Sequence, residues 1–176
     1  HRTRIDTTAP ASAPLRWKVY GMPGTTLTKA SEGGKVPLSL ALGPLPASPQ
    51  PESHLPSSEG EAPGIGYSTS PSWQAAAAEY AKIIEVQLKD ADLGAWVAEA
   101  TRGASTRDQK IAAILAHLHK SVRYTGIEFG DRAIVPATPA ETLRRGFGDC
   151  KDKATVLACA LRAAGIPADV ALLQAG

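Results

Sequence analysis

Gly146-Phe147-Gly148-Asp149-Cys150-Lys151-Asp152-Lys153-Ala154 is the stretch on which the reading of this chain turns. The two glycines give a tight entry. Asp149 is an N-cap residue whose carboxylate can take the backbone N–H groups two and three residues on. A helix is therefore expected over Asp149 to Ala164, stopped by Gly165 and Pro167 in the usual order. Cys150 falls in its first turn, where unpaired N–H groups and the positive end of the macrodipole favour a thiolate. Lys151 and Lys153 push the same way, and a thiolate is the form of cysteine that attacks carbonyl carbon. The same N–H groups can receive an oxyanion during acyl transfer. Cys159 is the internal control. Nine residues along, it lies about 180° round the helix and ~13.5 Å away, so the two cannot form a disulfide, and they lack metal-ligand spacing. Among Val156, Leu157, Ala160 and Leu161 it reads as a small buried hydrophobe.

Upstream of this stretch the hydrophobic period is helical. Ser72 caps a helix from Trp73 to about Leu88 with Ala77, Tyr80, Ala81 and Ile84 inward. A second helix covers Asp92 to Thr101, closing at Gly103 with Trp96, Val97 and Ala100 inward. Ser105 caps a third, whose Ile111, Ile114, Leu115, Leu118 and Val122 form a core stripe. Arg123 to Gly130 reads as a short strand and turn, and Thr138 to Arg145 as one or two helical turns. After the cysteine helix, Ala168 to Leu173 is expected to start a strand.

The first part of the chain is different. Eleven of the 14 prolines lie between Pro10 and Pro71, so short strands and loops are expected there. Leu15 to Tyr20 alternates apolar and polar as a half-buried strand does. Lys35 to Leu42 reads as a second strand, with Pro37 pushing it to a sheet edge. Gly43 to Pro71 shows no hydrophobic period and reads as a long loop or linker.

Val122-Arg123-Tyr124-Thr125-Gly126-Ile127-Glu128-Phe129, Pro139-Ala140-Glu141-Thr142-Leu143, the Cys150 stretch, and Leu161 to Ala168 together resemble the transglutaminase-like core of bacterial proteins. The resemblance runs from Ser105 onward. It implies a papain-like core in which a helix bearing the nucleophilic Cys packs on an antiparallel sheet, the sheet supplying a His and then an Asp. Residues 1–104 more weakly resemble the end of a β-rich domain of unknown function that often precedes such cores, implying a β-sandwich whose beginning is absent. The sequence departs from the pattern at one point: no His follows Cys150, and Asp169 comes too early for the family's Asp. Without a base, general acid–base catalysis fails. The His and Asp of the triad are therefore expected beyond residue 176. Relatives of this layout are often exported, which implies periplasm or cell envelope.

Other candidates carry less. His117 and His119 are about 200° apart on one helix and are expected at the surface; His1 and His54 sit on no rigid element. No metal or cofactor is expected. Gly146-x-Gly148 lacks the third glycine and the spacing of a phosphate loop. Nineteen Lys and Arg against 17 Asp and Glu leave a net charge of +2, too balanced for a nucleic-acid footprint. No apolar run approaches the ~20 residues of a spanning helix. Trp17, Trp73 and Trp96 read as core or junction anchors. Tyr124 reads equally as a wall of an acyl site or a core aromatic. The expected organisation is α+β: 1–71 the end of a β-rich, Pro-rich domain and linker; 72–104 linking helices; 105–176 the N-terminal part of a transglutaminase-like core. The expected chemistry is acyl transfer at an amide of a peptide or protein through a Cys150 thioester, by hydrolysis or by amine capture. The competing class is a non-catalytic binding scaffold with Cys150 a relic. An edge left at Leu173 would invite another strand.

Overall fold

Short alternating runs broken by proline make the N-terminal part of this α+β chain a set of antiparallel strands. The structure is a computed structural model and describes residues 3–10, 12–21, 26–29, 35–42, 64–126 and 129–173. It divides into two compact units, one reaching to Ala76 and one spanning Ala77–Leu173.

In the first unit, β1 (Thr3–Pro10), β3 (Thr26–Lys29) and β4 (Lys35–Leu42) form a sheet of order β1-β4-β3, and β2 (Arg16–Tyr20) pairs with β5 (Gly64–Ser68). Both β2 and β4 fall where the sequence puts them. The edge position expected for Pro37 is corrected, because β4 lies between two partners. Among the described residues β3 is paired with β4 as far as Leu38, and Pro37 is aligned with Thr8 of β1. The loop expected over Gly43 to Pro71 is corrected at its end, where β5 aligns Ser68 with Arg16 and Gly64 with Tyr20. Ile65 and Tyr67 do alternate, but between glycines, which hides the period. The rest of that stretch, to residue 63, lies outside the described residues.

The helices are set by local capping. In α1 (Trp73–Leu88) the Ser72 hydroxyl accepts the Ala75 N–H at 3.1 Å. Ile84 is buried and Tyr80 half-buried, but Ala77 and Ala81 are exposed: the inward face is centred on Tyr80, Ile83, Ile84 and Gln87. Trp73 is 85% exposed, so the core reading fails for it. Helix α2 (Gly94–Ala100) buries Val97 and lays Trp96 against the core. Helix α3 (Arg107–Ser121) is capped by Thr106, one residue later than expected. Gln109 lies three residues after Thr106, so its side chain returns to the Thr106 N–H and completes a capping box that Ser105 cannot make. Ile114, Leu118 and Val122 are buried, whereas Leu115 is 38% exposed and leaves the stripe. His119 is exposed, but His117 is half-buried, its ring edge-on to Trp96 at 4.6 Å.

The remaining elements carry the Cys150 stretch. A two-residue strand β6 (Arg123–Tyr124) runs parallel to β7 (Phe147–Gly148). Between them lie a 3₁₀ turn (Gly130–Ala133) and α4 (Pro139–Arg145), capped by Thr138 and ended by Gly146 at φ +70°. Residues 127 and 128 lie outside the described residues. Helix α5 (Cys150–Ala163) packs on α3 across a core of Leu93, Val97, Ile114, Leu118, Val122, Val156, Cys159 and Ala160. Residues 168–173 form no strand, contrary to expectation; Arg162 holds them through the Ala168 carbonyl and the Asp169 carboxylate. No described helix is long and apolar enough to cross a membrane.

Candidate active site

Cys150 occupies the first position of α5 and is exposed, while Cys159, nine residues on, is buried in the core. Burial pushes the Cys159 thiol above its ordinary range. The sequence-based contrast between the two cysteines therefore holds in its geometry.

The turn around Cys150 is built by two buried carboxylates. Asp149, 1% exposed, accepts the N–H groups of Lys151 and Asp152 through Oδ1 at 3.1 and 3.2 Å, and its Oδ2 pairs with the Lys151 ammonium. Asp152, 3% exposed, accepts the Ala137 N–H at 2.7 Å through Oδ1, and through Oδ2 the Arg145 guanidinium at 2.6 Å and the Asp149 N–H at 3.3 Å. Arg145 also donates to the Phe147 carbonyl at 2.9 Å and stacks over the Phe147 ring. Gly148 is required by this packing. A Cβ there would lie 2.7 Å from Asp152 Cβ and 3.2 Å from Thr142 Cγ2.

Two details of the sequence reading change. The lysines are committed elsewhere: Lys151 to Asp149, and Lys153 to the Val122 carbonyl at the end of α3, at 2.8 Å. Two of the first-turn N–H groups offered to an oxyanion are likewise taken by Asp149, which leaves the N–H of Cys150 as the first-turn donor that Asp149 does not hold.

Tyr124 is 60% exposed, so the core reading fails for it; its backbone is in register with Gly148, two residues before the cysteine. The Thr125 N–H donates to the Gly148 carbonyl at 2.9 Å and ties that segment to the same turn. Tyr80 was placed inward by periodicity but not at the site. Burial raises its hydroxyl above the ordinary phenol range, the Lys151 charge opposes this, and Cys150, Asp149 and Asp152 add to it, so α1 brings this hydroxyl into the electrostatic neighbourhood of the turn. Seventy residues of separation hide that proximity in the sequence. Asp169 pairs with Arg162 in the last turn of α5, at the end opposite Cys150. His117, against Trp96 of α2, and the exposed His119 both belong to α3. A cleft of about 520 Å³ lies within the first unit, lined by Trp17, Tyr20, Tyr67 and Trp73; Cys150 does not line it.

The site is thus a capped helix start presenting an exposed cysteine, buttressed by a parallel strand pair and a preceding short helix. Residues 94–172, a little under half of the chain, match the family model of the transglutaminase-like superfamily. The chain is also similar in fold to the crystal structure of a putative protease from Parabacteroides distasonis, with 24% identity and a TM-score of 0.79. That likeness covers 94% of this chain and 32% of the other, so the chain spans about a third of its structural neighbour's length. No curated protein matches the sequence.

Proposed function

We propose that this chain carries the nucleophile of a cysteine-protease-like enzyme that acts on amide bonds of peptides or proteins, with Cys150 as the attacking thiol. The observation that carries the reading is the placement of an exposed Cys150 at the capped start of α5, within the region matched to the superfamily. The helix start supplies a positive end to the macrodipole, and the Cys150 N–H is a donor for a developing oxyanion.

On this reading the thiolate sulfur adds to the carbonyl carbon of the amide. The tetrahedral intermediate collapses with cleavage of the C–N bond, the amine leaving with a proton delivered by a general acid. Water then adds to the thioester, the carboxylic acid departs and the thiol is restored. Capture of the same thioester by an amine gives a cross-link; hydrolysis is preferred because water is the default acceptor at an open site. The base is a His oriented by an Asp, as the superfamily resemblance implies, and the reading places both beyond residue 176.

The test uses the full-length protein, with quenched fluorescent casein for hydrolysis and a fluorescent primary amine for capture. Cys150→Ala should abolish turnover while the circular dichroism spectrum stays unchanged. Retained turnover in that variant would overturn the proposal.

A further inference from the structure

The turn that presents Cys150 is held by a buried group that does not face solvent and belongs to no proposed chemical step. Asp152 lies two residues after the cysteine, yet its contacts reach back to both segments that precede it. One oxygen holds the Ala137 N–H at 2.7 Å, on the segment leading into α4; the other holds Arg145 at the end of α4 and the backbone of Asp149. Arg145 in turn grips the Phe147 carbonyl, so the residues on either side of Gly148 are fastened to one carboxylate. Gly148 lies so close over Asp152 that no side chain fits between them.

A buried charge with a full set of partners is costly to assemble and often contributes little net stability against an apolar replacement. Its yield is geometry: a fastened first turn, with Asp149 turned onto two N–H groups and Cys150 exposed. We infer that Asp152 is a positioning residue for Cys150, acting through the clamp it forms with Arg145 and Ala137. The inference rests on the proposed role of Cys150 as a nucleophile, but it concerns what keeps that thiol reactive.

The charged and titratable groups facing this turn are Asp149, Lys151 and Lys153 on or beside α5, Arg145 and Glu141 on α4, and Tyr80 on α1. Removing the negative charge of Asp152 alone favours a thiolate nearby and speeds alkylation at neutral pH. Loss of the clamp frays the helix start and slows it. The two effects have opposite signs, which separates positioning from simple electrostatics.

The experiment measures iodoacetamide alkylation of Cys150 by site-resolved mass spectrometry, at neutral pH relative to strongly alkaline pH, in wild type, Asp152→Asn and Gly148→Ala. Gly148→Ala changes no charge and displaces Asp152 by contact alone. Both variants should show the neutral-to-alkaline ratio reduced by about twofold to fivefold, the size of a lost helix-terminus interaction, with Cys159 still protected as evidence of folding. A ratio unchanged or raised in folded Asp152→Asn overturns the inference, as does an unchanged ratio in folded Gly148→Ala if Asp152→Asn does not fold. Should wild-type Cys150 react no faster at neutral pH than in the denatured chain, it is the nucleophile reading that fails, and the two failures are distinguished.

Discussion

At the scale of single residues, the two cysteines make opposite predictions from one helix. Cys159 is buried among Val97, Ile114, Val156 and Ala160, and its thiol is held above the ordinary range by that burial. The sign follows directly. The folded state disfavours the thiolate, so the contribution is fully present below the unfolded thiol pKa of about 8.5 and is lost as pH rises through the higher folded value. Wild-type protein should therefore lose more stability above about pH 8.5 than Cys159→Ala does, as read by denaturant midpoints across pH. Gly146 offers a second test. It ends α4 at φ +70°, where a Cβ is strained, so Gly146→Ala should cost about 1 kcal/mol in denaturant unfolding. In the Cys150 stretch the Asp149 cap and the buried Cys159 follow from local rules, whereas the commitment of Lys153 to the Val122 carbonyl, 31 residues away, does not. Nor does the clamp, because Asp152 reaches Ala137 and Arg145 over 15 and seven residues of sequence. One signal did exist. Asp152, Thr155, Val156 and Cys159 share a helical face, and an acid on a buried face needs a partner.

At the scale of elements, what the sequence discloses depends on whether the defining contact is local. Helices α1, α4 and α5 begin at Ser72, Thr138 and Asp149 because each cap is satisfied within three residues. Even the displaced start of α3 has a local cause in Gln109. Thr106→Ala should therefore lower stability by about 1 kcal/mol, whereas Ser105→Ala should change it by a few tenths, a comparison thermal unfolding can make. Strands are another matter. β1 and β5 were not individually legible, since each is defined by a partner far along the chain: Thr3 aligns with Leu42, and Ser68 with Arg16. Pro37 misled for the same reason. The place of its strand between β1 and β3 is set by pairing that no local pattern records.

At the scale of the whole molecule, burial is uneven. Among the described residues the buried hydrophobic side chains lie between Ile84 and Ile166, within the second unit. Amide hydrogen exchange should be slowest in the middle of α3 and α5, around Ile114, Leu118 and Val156, and faster in β2 and β5. This core is what holds the helix that begins with Cys150, and on the proposed function it serves to keep one thiol at a fixed, exposed helix start. The most direct measurement of that claim is the alkylation rate of Cys150 at neutral pH in the native protein, compared with the same residue in the denatured chain. The account predicts faster reaction in the native state, with Cys159 silent until unfolding. A native rate equal to or below the denatured rate would contradict it.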